Sequence, residues 1–207
     1  MDRVDHLIWA VPDLDAGIGQ IEAITGIQAA LGGSHPGMGT RNALLSLGDD
    51  TYLEIIAPDP GQSNYRSPRL FQVDHVDSPR LVTWAAKSDD IAQMAEIRLS
   101  DGQSPGEAMT GSRQTPDGRT LAWELTDPYV EIAGGVVPFF INWGNTPHPA
   151  ASAPGGAKLL ALQATHPEKD YVRAAFEIFG INVPVENGRQ ASLTAVIDTP
   201  RGQIELT

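Results

Sequence analysis

Two stretches far apart in this chain repeat one pattern, and that repetition narrows the architectures open to it. Superposing Glu54 in YLEII on Glu205 in QIELT sets residues 43–47 beside residues 194–198, with turn residues following both. Upstream, ITGI at residues 24–27 resembles IFGI at residues 178–181, each closing an amphipathic helix at a glycine. In the first helix Asp13 is the expected N-cap, Leu14, Ile18, Ile21 and Ile24 share a face, and Gly26 sits where a left-handed residue ends the helix. In the last, Pro167 suits the first turn, Val172, Ala175, Phe176 and Phe179 form the stripe, and Gly180 ends it. A third version lies between them, with Ser88 as cap and Ile91, Met94 and Ala95 on one face. Strands follow it: one before TPDG at residues 115–118, whose Asp-Gly favours a tight turn, then RTLAWELT and VVPFFINW.

Each unit therefore reads strand, helix, strand, strand, strand. Residues 58–79, rich in Pro, Ser and Asp, and residues 147–156, PHPAASAPGG, have the composition of connectors. The expected division is module 1 at residues 1–60, module 2 at 79–146 and a similar module 3 at 157–207, packed as one or two compact units. A single module is small for an independent core, so the modules should pack side by side with curved mixed sheets around a shared, cup-shaped cleft. The fold class expected is α+β.

At 207 residues and 41% apolar, the chain has enough material for a full core. It has no cysteine, which excludes disulfides, thiolate ligands and a cysteine nucleophile. A net charge of −12 opposes contact with nucleic acid or anionic lipid, because phosphates would be repelled. Residues 1–20 carry Asp2, Asp5, Asp13 and Asp15, unlike the basic-then-apolar start of a signal peptide, and the apolar runs are strand-sized. The expectation is a soluble, cytoplasmic protein whose partner is a small molecule.

Two carboxylates stand out against that background. Glu54 and Glu205 each lie mid-strand between apolar residues, where burial costs several kcal/mol unless a cation or donors meet the charge. Strand alternation places Val4, His6, Ile8 and Ala10 on one face, and Glu54 with Tyr52 and Ile56 on another, so both could look into one cup. His6 is equally compatible with a core histidine, and Glu205 with a frayed, solvent-facing acid. The loop GGSHPGMGTRN at residues 32–42 combines glycines with His35, Thr40, Arg41 and Asn42, letting backbone approach a ligand while donors converge. Arg41 is the natural clamp for a carboxylate or phosphate, Asn42 a further ligand contact, and His35 a contact or a general acid or base. Trp84, Trp123 and Trp143 offer an aromatic wall, and Arg113 a second anion contact, although such tryptophans are also ordinary core residues. His75, His148 and His166 lie in or beside connectors and a helix start, and fall outside the expected site.

DHLIWAVPDLDAG, GGSHPGMGTRNALLSLGDDTYLEIIAPDP and RQTPDGRTLAWEL together resemble the glyoxalase-like branch of the vicinal oxygen chelate superfamily, over roughly residues 4 to 143. The resemblance implies βαβββ modules whose sheets pair into a metal-lined cup. A His on the first strand and a Glu on the last strand of a module would bind a divalent cation. Mapped onto this chain, module 1 supplies His6 and Glu54, and module 3 supplies Glu205 but has Leu160 near its His position. Module 2 departs: LVTWAAK has no His, and Phe140, Ile141 and Asn142 occupy the place of the acid. A site of His6, Glu54 and Glu205 would suit Zn, Ni, Mn or Fe. The two strand-borne histidines of the superfamily's extradiol dioxygenases are not found here. The implied function is an isomerase or lyase of glyoxalase type, with Glu54 and His35 as catalytic groups, acting on a small, oxygen-rich, possibly anionic metabolite. The alternative is a non-catalytic binding or sequestration protein of the same fold. Such modules pair within one chain or between two, so a homodimer is one arrangement the resemblance allows.

Overall fold

A strand buried at every position needs a neighbour on each edge and cover on each face, and β1 (Val4–Ala10) is such a strand. The computed structural model describes residues 3–66, 68–114, 118 and 120–207. After β1 comes α1 (Leu14–Thr25), whose Asp13 cap accepts a hydrogen bond from Ala16 N at 2.8 Å and whose end is Gly26 at φ 78°. β2 (Ala30–His35), β3 (Thr40–Ser46) and β4 (Tyr52–Pro58) follow, and β4 returns to lie parallel beside β1. The second module repeats the plan with β5 (Arg80–Lys87), α2 (Ile91–Glu96), β6 (Ala108–Gln114), β7 (Thr120–Thr126) and β8 (Phe139–Asn142). Its helix begins later than the sequence suggests. Asp90, not Ser88, is the cap, accepting from Gln93 N at 2.8 Å, while the Ser88 hydroxyl bonds the Asp90 backbone.

The two modules join through an antiparallel β1–β5 pair into one eight-stranded sheet, ordered β2-β3-β4-β1-β5-β8-β7-β6. Each half has the same internal order, so the sheet curls into a cup and brings its free edges, β2 and β6, together. The Arg113 guanidinium on β6 donates to Gly32 O at 2.5 Å across that seam. Gly33, at φ 139°, lies so near the opposite edge that an added Cβ would sit 2.9 Å from Gln114 O. The curved α+β architecture expected from the sequence is thus present. Thr115, Pro116 and Asp117 of the expected TPDG turn lie outside the described residues.

The third unit has the same element order but a different sheet. β9 (Lys158–His166), α3 (Lys169–Phe179), β10 (Val185–Asn187), β11 (Ser192–Thr199) and β12 (Gly202–Leu206) pair as β10-β9-β11-β12. Its first strand therefore lies between the second and third, and its last is an edge, whereas β1 and β5 each lie beside the last strand of their module. The unit covers the outside of the cup: Phe176 meets the Trp84 ring edge-on at 6.3 Å, and Phe179 meets Phe140 at 4.9 Å. One apolar core fills that interface and continues under α1 and α2.

Both expected connectors are packed. Residues 59–66 and 68–79 cross the mouth of the cup, with short 3-10 turns at Pro60–Gln62 and Leu70–His75. Leu70, Val73 and Val76 drop from this strap into a second core with Ile8, Ile56, Ala85, Phe139 and Ile141 on the concave face. Ala150, from the other connector, is buried against Leu44 and Tyr52. Among the described residues no helix is long and apolar enough to cross a membrane.

Candidate functional site

Glu54 is 6% exposed and sits at the floor of the cup. β4 brings it there because Tyr52, Glu54 and Ile56 share the concave face, while Leu53 and Ile55 enter the outer core. Three side chains meet its carboxylate. Asn42 Nδ2, on β3, donates to Oε1 at 2.6 Å, His6 Nε2 faces Oε2 at 3.6 Å, and His35 Nε2 faces Oε1 at 3.7 Å. The Asn42 amide needs Gly32 beside it, since an added Cβ there would lie 2.2 Å from Oδ1.

The histidines are oriented from behind. His6 stacks on Tyr52 at 4.5 Å, and its Nδ1 lies 2.7 Å from Asp5 Oδ1. Asp5 also accepts from Trp143 Nε1 at 3.2 Å and His148 Nε2 at 3.3 Å, while His148 Nδ1 accepts from Ala150 N. Burial alone would push the Asp5 carboxyl up, but its contacts with His148 and His6 hold it well below the usual carboxylate range. An ionised Asp5 orients the His6 ring through Nδ1, which leaves Nε2 as the ring atom facing Glu54. For His35, burial lowers the pKa more than the Glu54 charge raises it, which favours the neutral ring. Its Nδ1 pairs with Thr40 Oγ1 at 2.9 Å, leaving Nε2 to accept from Asn42 at 3.2 Å.

His6, His35, Asn42, Glu54, Arg113 and Trp123 thus line one cavity, roofed by Phe71, Phe139 and Trp143. Three expected site residues are placed elsewhere. Arg41 alternates with Asn42 on β3, leaves the cup on the helix side, and pairs with Asp15 of α1 at 3.4 Å. Trp84 is fully buried in the outer core and donates to Val136 O. Glu205 is exposed on the edge strand β12, opposite Val196, in the separate sheet. It lies on the last strand of its unit as Glu54 does, but that strand is an edge and not the neighbour of the unit's first strand. The expected ligand triplet of His6, Glu54 and Glu205 is not assembled; His35 stands near Glu54 instead.

Asp5, Tyr52 and His148 are the contributors that sequence reasoning left out of the site, and Trp143, expected as part of an aromatic wall, also serves as a donor to Asp5. For Asp5 a signal existed, an acid beside a histidine in an otherwise apolar strand. Simple alternation hides it, because Asp5 and His6 should face opposite ways. A slip in the β1–β5 ladder between Val4 and His6 makes Asp5 the extra residue and turns it toward the cup, as bulges do, and it sends Val4, expected on the face of His6, into the outer core instead.

The donor types suit a divalent metal. An imidazole nitrogen and a carboxylate are both common ligands of such ions, and His6 Nε2 and Glu54 Oε2 stand buried 3.6 Å apart in the cavity. Among the described residues, however, no group of three His, Cys, Asp or Glu side chains is placed to hold a metal ion as arranged.

Residues 4–178 match the model of the glyoxalase-like domain family. A crystal structure of a hypothetical protein from Staphylococcus aureus superposes with a TM-score of 0.68 at 14% identity, covering 99% of this chain and 98% of that one. Methylmalonyl-CoA epimerase from Mycobacterium tuberculosis matches at a TM-score of 0.43 and 21% identity, over 67% of this chain and 86% of that one. A methylmalonyl-CoA epimerase in complex with methylmalonyl-CoA and NH4+ matches at 0.45 and 18%, over 71% and 98%. No curated protein matches the sequence. With a family match over most of its length and two βαβββ modules paired into a cup, this chain belongs to the glyoxalase-like domain family.

Proposed function

We propose that this chain is an isomerase or lyase of glyoxalase type, moving a proton next to a carbonyl of an oxygen-rich substrate. The observation that carries this reading is the buried Glu54 carboxylate, met by two imidazole nitrogens at the floor of a cavity with aromatic walls. In it, Asn42 holds Glu54 in place, Glu54 takes the proton from the substrate carbon and returns it to carbon, and the neutral His35 takes a substrate hydroxyl proton on Nε2 and gives it back. Arg113 supplies the positive charge lining the same cavity, and Trp123 bounds the apolar side. A divalent ion such as Zn, Ni, Mn or Fe would be held by His6 and Glu54, with His35 the nearest further imidazole. When bound, such an ion polarises a carbonyl oxygen.

Binding without turnover is the second reading, and module 2 favours it. Asn142, standing where that module's acid would be, spends its side chain on Asp89 O and Gly144 N, so half of the pseudo-symmetric cup brings no ligand. Two measurements separate the readings. Protein purified without chelator is assayed for metal by mass spectrometry, and incubated with 2-oxo acids in deuterated water to follow exchange of the proton beside the carbonyl. The enzyme reading expects exchange that is lost in Glu54→Gln, with metal lost in His6→Ala. Thermal protection by the same 2-oxo acid with no exchange supports the binder.

A further inference from the structure

The cleft has two compartments of very different size. The inner cavity over Glu54 has a volume of about 50 Å³, far below the roughly 300–1,000 Å³ of ordinary small-molecule pockets. It admits the oxygen-bearing end of a molecule and not the rest. Beside it opens an outer chamber of about 620 Å³, inside the usual range for small-molecule pockets. Phe71, Pro128 and Phe139 line both, so these residues are the shared wall. Phe71 and Phe139 lie 5.4 Å apart, and Phe139 meets the His6 ring at 5.6 Å, giving an aromatic path from chamber to floor.

The wall is held in a demanding conformation. Phe71 and Gln72 stand at φ 54° and 52°, a left-handed backbone that residues with side chains adopt only where their surroundings impose it. Those surroundings are visible: Leu70 and Val73 are buried on either side, and Gln72 Nε2 donates to Glu131 Oε2 at 2.9 Å. Tyr65 and Tyr129 also join their hydroxyls across the mouth at 3.3 Å. Chamber chemistry is just as specific. Its apolar surface comes from Phe71, Phe139, Val82, Val130 and the two tyrosine rings; of its polar groups, Arg69 is tied to Asp74 and Gly39 O, Glu131 receives Gln72, and His75 and Thr83 complete the lining.

We propose that the outer chamber is the tail subsite of the Glu54 centre, binding a neutral aromatic or aliphatic group of a carbonyl substrate whose oxygen end passes Phe71 and Phe139. The assignment rests on the proton-transfer reading for the head and adds the class of tail. A small polar metabolite alone would leave the chamber unfilled.

Calorimetry with pyruvate and 2-oxooctanoate, which share a head and differ in tail, tests it. The longer acid should bind at least about tenfold more tightly, from burial of its added methylenes. Val82→Trp, which fills the chamber, should collapse that ratio towards one; Val130→Trp, at a half-exposed position on the rim, repeats the test if Val82→Trp does not fold. Equal affinities in the native protein, no binding of either acid, or a ratio untouched by both tryptophans would overturn the proposal. Proton exchange in deuterated water is read on the same samples. Tight, tail-dependent binding without exchange keeps the subsite and removes the proton-transfer reading, whereas exchange on pyruvate with no gain from the tail does the reverse.

Discussion

Asp5 and His35 show how burial converts single residues into pH-dependent parts of the site. Asp5 is 1% exposed and takes three hydrogen bonds, so Asp5→Asn is expected to destabilise by about 1–3 kcal/mol through mispaired donors. Its folded pKa lies below the unfolded one, so its stabilisation is complete above the unfolded value of about 3.9 and lost as pH falls through the folded value. Urea titrations from pH 5 downward should therefore show a shallower acid loss in Asp5→Asn than in the native protein. His35 has the opposite charge type and the same sign of dependence. Its folded pKa is lowered by burial, so the unfolded chain takes up the proton first, and stability declines as pH drops below about 6.5. The slope from this one group is at most about 1.4 kcal/mol per pH unit, and His35→Gln should remove it. Arg41 is a contrast. It meets Asp15, a largely exposed acid, outside the cup, so Arg41→Ala should shift stability by less than about 1 kcal/mol and leave 2-oxo acid affinity unchanged by calorimetry.

Among the elements, β1 and the β2–β6 seam do most to position the chemistry. Alternation along β1 and β4 was legible in the sequence, and it puts His6, Tyr52 and Glu54 on the concave face. What alternation could not disclose is the bulge at Asp5, because an extra residue in a ladder depends on the partner strand β5. The glycine-rich loop read as a ligand-contacting segment is a β-hairpin, with His35 opposite Thr40 in register and Arg41 turned away from Asn42. At the seam, Gly33→Ala should cost about 1–3 kcal/mol, measured by chemical denaturation, since φ 139° and the approach of Gln114 O both exclude a side chain. The residue 58–79 segment has a connector's composition, yet three aliphatic residues anchor it across the cup. Its sequence lacks a regular period because 3-10 turns and left-handed residues have none.

At the scale of the whole molecule, the third unit is a cover for the outer face of the cup. Phe176 and Phe179 fill the space against Trp84 and Phe140, so Phe179→Ala should destabilise the chain by about 3–5 kcal/mol, with both sheets lost in one transition by fluorescence and circular dichroism. The same packing explains why Trp84 belongs to the core. A tryptophan on a central strand faces the cup or its outside according to register, and a strand covered on both faces gives no polar alternation from which to tell.

By itself the amino-acid sequence determined the α+β class, the order of elements, the helix ends at Asp13, Gly26 and Gly180, and the family, because each rests on short-range periodicity, capping chemistry or contiguous motifs. Tertiary structure alone decided which acid joins His6. Glu54 and Glu205 are each flanked by two aliphatic residues along the chain, but β4 is enclosed between β1 and β3 whereas β12 is an edge, and burial of a carboxylate is set by the strands on either side of it. The arrival of Asp5, His148 and Trp143 behind His6 was decided in the same way, since residues so far apart meet only once two modules have closed on each other and the chain after them has folded back.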